Sequence, residues 1–196
     1  MTRSLPVALC AALSCFSVSA AFADTSVTIT ATSSECKVSP PAEMTSNSPS
    51  IPAGVAAIRN RNFALARANF KPLAEKGDAE GQRSYGRLLM MKCTGLQDQA
   101  AGAEWFQKAA DAGDAEAAAE LGSAYMNGQG VTQDDAKAFA LVSKAANAGL
   151  GGAQANLGYL YLSGRGVEGD PYQGMAWSVK AGEQGVPVAL FNIAQA

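Results

Sequence analysis

A single spacing constrains this chain more than anything in its composition. The stretch Leu121–Gly149 reappears 36 positions further on. Leu121, Gly122, Tyr125, Gly128, Gly130, Val131 and Asp134 align with Leu157, Gly158, Tyr161, Gly164, Gly166, Val167 and Asp170, and Lys144, Ala145 and Gly149 align with Lys180, Ala181 and Gly185. Shifted 36 positions backward, the frame fits more loosely, on Gly86, Asp98, Trp105, Lys108, Ala109, Ala110 and Gly113. A fixed period of this length is the signature of stacked repeats. Each unit buries its apolar face only against the next, so stability is a sum over neighbours and is weakest at the ends.

Within one period two helices are readable. Ala117, Leu121 and Tyr125 stand four apart, with Ala118 and Gly122 beside them, which makes one face of a helix. Gly122 lets a neighbouring helix approach closely. Asn127-Gly128 ends the first helix in the left-handed conformation that glycine adopts cheaply, and Gly130 completes the reversal. Asp134 then stands as N-cap of the second helix, and Asp170 does the same one period later, followed by Pro171 at the first helical position. Ala138, Leu141, Val142 and Ala145 form the buried stripe of that helix, and Gly149 stops it. The pattern predicts helices at 53–61, 63–76, 79–91, 99–112, 115–127, 134–148, 152–163, 171–182 and 186–194.

The flanks differ from this frame. Arg3, an uncharged apolar run from Leu5 to Phe16, and Ala21-Phe22-Ala23 read as a secretory signal peptide, residues 1–23, with a cut before Asp24. The run is too short and too interrupted by Ser to span a bilayer. Lipidation at Cys15 is the weaker alternative, because Ala12 is a poor residue three positions before it. Residues 24–52, rich in Ser, Thr and Pro, read as an irregular tail broken by Pro40-Pro41, Pro49 and Pro52. Cys10 and Cys15 leave with the signal, so Cys36 and Cys93 remain in an oxidising compartment. An intramolecular disulfide between them is the expectation, worth roughly 4 kcal/mol on the chain-entropy account; two free thiols or an intermolecular bond are the alternatives. At the other end, Val188, Leu190, Phe191 and Ile193 have no following helix to cover them all, so one face either docks or forms a contact site.

Charge is unevenly spread. Between Arg59 and Lys92 eight basic residues face three acidic ones, and after Cys93 five basic face eleven acidic. The balance after removal of the signal, 14 basic against 17 acidic, gives no reason to expect nucleic acid or an anionic membrane as partner. The asymmetry suits either ordinary surface charge or a polarised surface that orients a partner.

The motif A-x-x-x-L-G-x-x-Y-x-x-G-x-G-V-x-x-D, followed by K-A-A-x-x-G, resembles the Sel-one-like repeat (SLR), a relative of the tetratricopeptide repeat. Ala117–Gly149 matches nearly throughout, and Ala153–Gly185 matches with Gly182 for one Ala. Ala79–Gly113 departs, with Tyr85 for the Leu and Lys92-Cys93-Thr94 for Gly-x-Gly. The resemblance covers about three quarters of the chain after the signal. It implies an all-α, right-handed α/α solenoid of about three helix-turn-helix repeats with partial end repeats: a half-repeat at 53–77, repeats at 79–114, 115–150 and 151–186, and a terminal helix at 186–194. The structural positions are Gly86, Gly122, Gly128, Gly130, Asp134, Gly149, Gly158, Gly164, Gly166, Asp170 and Gly185. It further implies a concave face that binds other proteins or peptides.

Chemistry is sparse by comparison. The Gly-x-Gly turns lie between helices with no strand before them and no Lys-Ser/Thr after, so they are structural turns rather than phosphate loops. The chain has no His, which removes the commonest general base and metal ligand. Some SLR proteins are β-lactamase-like, but no Ser-x-x-Lys or nucleophile elbow carries that over. No cofactor, metal or catalytic residue is expected. The expected binding residues are Arg83, Arg87, Met90 and Met91 in the first repeat, Ser123, Met126 and Asn127 in the second, and Tyr159 and Leu162 in the third. Arg, Met and Tyr are enriched at interfaces. Met90, Met126 and Leu162 equally suit packing against the next repeat, whereas Arg83 and Arg87, four apart, suit clamping an acidic segment. The expectation is a non-enzymatic, periplasmic or secreted adaptor or regulator that binds a protein or peptide of the cell envelope without inserting into the membrane. The alternatives are a structural component that docks or self-associates through its C-terminal helix, and an enzyme of β-lactam or peptidoglycan chemistry.

Overall fold

The computed structural model describes residues 48–92 and 94–189, all within the compact unit Val38–Ala196. Expectations for the signal segment, for most of the tail with Cys36, for Cys93, and for Leu190, Phe191 and Ile193 lie outside the described residues. The described residues form eight α-helices: α1 (Ile51–Arg59), α2 (Phe63–Glu75), α3 (Ala79–Met90), α4 (Gln99–Asp111), α5 (Ala115–Asn127), α6 (Asp135–Asn147), α7 (Gly151–Ser163) and α8 (Pro171–Glu183). A further helical turn starts at Pro187. Extensive packing joins each helix to its chain neighbours, which is the all-α solenoid expected of the period.

One boundary needs correction. Pro52 does not break the chain; α1 starts at Ile51, two residues before the expected start. The Ser50 hydroxyl accepts from the Ala53 N–H, and a proline in the first turn removes only an amide that has no intrahelical partner.

The caps repeat in register. Asn62, Asp98, Asp134 and Asp170, each 36 apart, accept from the backbone N–H three residues on at 3.0, 3.0, 3.0 and 3.1 Å. That amide at Lys137 is the main reason Asp134 titrates below its ordinary value. Asp78 and Asp114 cap α3 and α5 in the same way, but Leu150 holds the equivalent place before α7 and makes no side-chain cap.

The glycine turn has a second task. Gly128 and Gly130 have φ of 66° and 72°, as the sequence suggests. A Cβ on Gly130 would also overlap the Gln99 carbonyl and stand 3.0 Å from the Ala100 nitrogen. Gly166 meets the Asp135 carbonyl and Ala136 nitrogen in the same way. Each turn is therefore seated on the N-terminus of the second helix of the preceding repeat, and only glycine fits there.

Repeats one and three share a crossing that repeat two lacks. A Cβ on Gly86 would lie 3.0 Å from the Gly102 carbonyl, and one on Gly102 would lie 3.1 Å from the Gly86 carbonyl. Gly158 and Gly174 repeat this reciprocal approach at 2.9 and 3.0 Å. In repeat two the partner position is Ala138, and Gly122 instead faces Val142, whose Cγ2 would stand 2.7 Å from an added Cβ. The core beneath is mostly alanine: Ala109, Ala110, Ala117, Ala118, Ala145, Ala146 and Ala153 are buried with Val142, Leu157 and Leu160. Side chains this small let successive helices pack closely, and leave little room for added methylenes.

Candidate functional site

The first helices of three successive repeats bring one face together. They line a shallow groove of about 430 Å³. Arg87 comes from α3; Glu116, Ala119, Glu120 and Ser123 come from α5; Gly152, Ala153 and Asn156 come from α7, with Leu150 before it and Val188 beyond α8. Their numbers explain the arrangement: Glu116, Gly152 and Val188 are one period apart, as are Glu120 and Asn156, and Arg87 and Ser123. A stacked repeat places such residues side by side.

The two ends of the groove differ chemically. At the α3–α5 end, Arg87 contacts Glu116 at 3.1 Å and Glu120 at 2.8 Å. Arg83, only 13% exposed, pairs with Glu116, lies 3.4 Å from Asp114 and reaches Glu80 at 3.9 Å. The Arg83 Nε makes no well-directed hydrogen bond, so its approach to Asp114 is a charge contact. Partial burial depresses the Arg87 pKa, but the charges and hydrogen bonds of Glu120 and then Glu116 outweigh it and raise the value above the ordinary one. The far end is apolar or small, with Leu150, Gly152, Ala153 and a half-exposed Val188. Between them, Asn156 Nδ2 donates to the Ser123 hydroxyl at 3.5 Å.

The expected binding residues divide accordingly. Arg87 and Ser123 line the groove. The clamp read into Arg83 and Arg87 is already filled, because the acidic segment they hold is α5 of this chain. Met90 and Leu162 lie against Gly102 and Gly174 in the second helices of their own repeats, and Met90 also packs on the cluster of Ala103, Phe106 and Leu121, the last from the next repeat. Met126 packs on the alanine core, and Met91 on the cluster around Phe70 and Tyr85. Asn127 is exposed and donates to the Ser123 carbonyl at 2.9 Å. Tyr159 is 41% exposed, and its ring lies 5.9 Å from the Arg165 guanidinium. Glu116, Glu120, Leu150, Gly152 and Asn156 were missed, and Val188, expected only as part of an uncovered C-terminal face, lines this groove. The signal for them was the period itself, continued along one helix face from Arg87.

A second inter-repeat contact was also missed. Arg165, the middle residue of the Gly-x-Gly turn of repeat three, donates to Asp135 at 2.6 and 3.2 Å and to the Met126 carbonyl at 2.9 Å. The hydrogen bond from Arg165 holds the Asp135 carboxyl below its ordinary range. A second hollow, about 360 Å³, lies under the irregular turn of repeat one between Arg67, Tyr85, Leu89, Leu96 and Trp105. Two periods later, the places of Arg67 and Leu89 are taken by Phe139 and Tyr161, which stack edge-to-face with centroids 5.4 Å apart.

Among the described residues, no group of three or more acidic, His or Cys side chains is arranged to hold a metal, and no helix is long and apolar enough to cross a membrane.

The caps, glycine turns and stacking define a class, the α/α solenoids, and the chain belongs within it to the Sel1 repeat family, which matches at residues 79–114, 115–150 and 152–186. The structure is similar to that of a protective antigen present in uropathogenic Escherichia coli strains and displaying an SLR fold, with 27% identity and a TM-score of 0.66 over 73% of this chain and 32% of that one. It is also similar to a Sel1 repeat protein from Oxalobacter formigenes, with 32% identity and a TM-score of 0.58 over 66% of this chain and 97% of that one. Helicobacter pylori cysteine rich protein B shares the fold at 23% identity and a TM-score of 0.50, over 67% of this chain and 95% of that one. The chain thus spans about a third of the first of these proteins. No curated protein matches the sequence. Sel1 repeat proteins are protein-interaction modules.

Proposed function

We propose that this protein is a non-enzymatic adaptor or regulator of the cell envelope, and that it binds a segment of a partner protein in the groove across α3, α5 and α7. The observation that carries this is the groove itself, in which three consecutive repeats present side chains from equivalent positions to one side. The apolar stretch and Ala21-Phe22-Ala23 at the N-terminus support export, and the absence of His supports a binding role over acid–base catalysis.

Gly152 offers a clean test. It is exposed, lies on the groove, and a Cβ there would meet nothing within 4 Å. Gly152→Trp therefore fills the groove without disturbing the helices. Proteins that co-purify from the envelope with the unaltered chain are expected to be lost with Gly152→Trp while helical content and unfolding midpoint are retained. A partner that survives this change would place binding elsewhere.

A further inference from the structure

Resting on the groove as the binding site, we propose that its occupant is a cationic segment: a partner stretch that sets a Lys or Arg at the α3–α5 end and a bulky aliphatic side chain at the other. The charge count at the first end points this way. Four carboxylates, Glu80, Asp114, Glu116 and Glu120, surround two guanidinium groups, Arg83 and Arg87. Both cations are engaged by carboxylates, with Arg87 44% exposed on the groove. Arg83 is mostly buried among its acids, and Arg87 shares two carboxylates. Glu116 and Glu120 remain 50% and 39% exposed on the groove wall. An arriving anion would meet this excess of negative charge and would have to displace carboxylates already bound to Arg87. An arriving cation completes the cluster.

The other end selects a different group. Leu150 stands where the two preceding repeats place capping aspartates, Asp78 and Asp114, and Val188 stands where they place Glu80 and Glu116. Two acidic positions of the period have thus become aliphatic within one stretch of groove. Val188 is half-exposed there, and Gly152 leaves space between them. Lost charge with retained exposure is what a docking site for an aliphatic side chain requires.

The test is selection of randomised displayed peptides on the purified full chain, followed by titration of the selected peptides. They are expected to combine Lys or Arg with Leu, Ile, Val or Phe and to weaken as salt rises. Glu120→Gln should weaken them several-fold and Glu120→Lys by about tenfold or more. Val188→Ser should weaken them at any salt concentration. Arg87→Gln is the discriminating variant: by freeing Glu116 and Glu120 it should tighten cationic peptides, whereas an acidic occupant would lose affinity.

Acid-rich peptides, or weaker binding of the selected peptides on Arg87→Gln, would overturn the cationic assignment and leave the groove reading standing. Failure to select any peptide, or selected peptides indifferent to Gly152→Trp, would overturn the groove reading as well. Concentration-dependent dimerisation abolished by Val188→Ser would make the occupant a second copy of this chain and defeat the proposal.

Discussion

Repeat two and repeat three are built on the same frame but solve the same problem with different side chains. Near its C-terminus the second helix of each unit carries a carbonyl, at Ala74, Ala110 and Ala146, one period apart, that accepts from the glycine N–H three residues on and also takes a side-chain donor from the next unit. Gln82 donates to Ala74 at 3.4 Å and Gln154 to Ala146 at 3.3 Å, both from the first helix of the following repeat. At the equivalent place repeat two has Ala118, which cannot donate. There Lys144 reaches the Ala110 carbonyl at 2.9 Å. The exchange extends to a third position. In repeats one and three the corresponding lysines, Lys108 and Lys180, lie over Trp105 and Trp177 at 3.9 and 4.2 Å. Repeat two has Leu141 instead, and its lysine is free to bond elsewhere. Gln with Trp, or Ala with Leu, are two consistent sets, and the glycine crossings follow the same division. The family pattern therefore specifies a backbone task, and more than one combination of side chains performs it.

The largest test of this division is at the joint common to repeats two and three. Gly166→Ala combines a positive φ with a collision against the Asp135 backbone and should cost about 3 kcal/mol or more in urea unfolding. Gly149→Ala has a positive φ of 92° but open space around it, so about 1–2 kcal/mol is expected. Equal effects would show that the turn glycines serve conformation alone.

Next in size is the crossing. Gly158→Ala sets a Cβ against the Ser178 hydroxyl and 2.9 Å from the Gly174 carbonyl, and should cost about 2 kcal/mol. The reverse change in repeat two, Ala138→Gly, should cost about 1 kcal/mol through helix propensity.

The exchanged donors give a smaller, sharper effect. Lys144→Met should cost about 0.5–1 kcal/mol by removing the second donor to the Ala110 carbonyl, and adding Ala118→Gln should recover most of it. Lys108→Met and Lys180→Met should cost no more than about 0.5–1 kcal/mol, the value of a solvent-exposed cation–π contact. A double variant no more stable than Lys144→Met alone would break the equivalence of the two sets.

The smallest effect is on pH. The Asp135 carboxyl titrates below its ordinary value in the folded chain. Its stabilisation is thus present above the unfolded-state value near 4 and is lost as pH falls through the folded one. Asp135→Asn should flatten the unfolding midpoint over that acidic window and leave its shape at neutral pH unchanged. An unaltered profile would remove Arg165 from the inter-repeat joint.

What was legible beforehand was whatever the backbone repeats. The 36-residue frame, the aspartate caps at Asp134 and Asp170, and the left-handed turns at Gly128 and Gly130 are dictated by local chain conformation, and residue type alone reveals them. The start of α1 was misplaced because Pro52 reads equally as a breaker and as a first-turn residue; the choice depends on Ser50 capping. The groove was only partly legible. Arg87 and Ser123 follow from the helix face, but the state of a charge depends on its neighbours in space. Nothing local to Arg83 or Arg87 says that Glu116 and Glu120, about thirty residues on, already hold them. Likewise the methionines look adaptable in sequence, and only the crossings at Gly102 and Gly174 show that positions 90 and 162 face inward. Ser178, fully buried with no hydrogen-bond partner, where the preceding repeats carry Phe106 and Val142, has no account in the sequence pattern or in the packing.

The donors to Ala74, Ala110 and Ala146 carry one more consequence, for how such a chain changes length. Each side-chain donor belongs to the repeat that follows the carbonyl. Gln82, Lys144 and Gln154 all reach backward. A unit that is duplicated or excised whole thus takes with it the group needed to close its own upstream seam. The solenoid behaves as a set of cassettes with the joining side chain on the leading edge, so the stack can be extended or shortened by recombination in steps of one period with each side-chain bond between units kept.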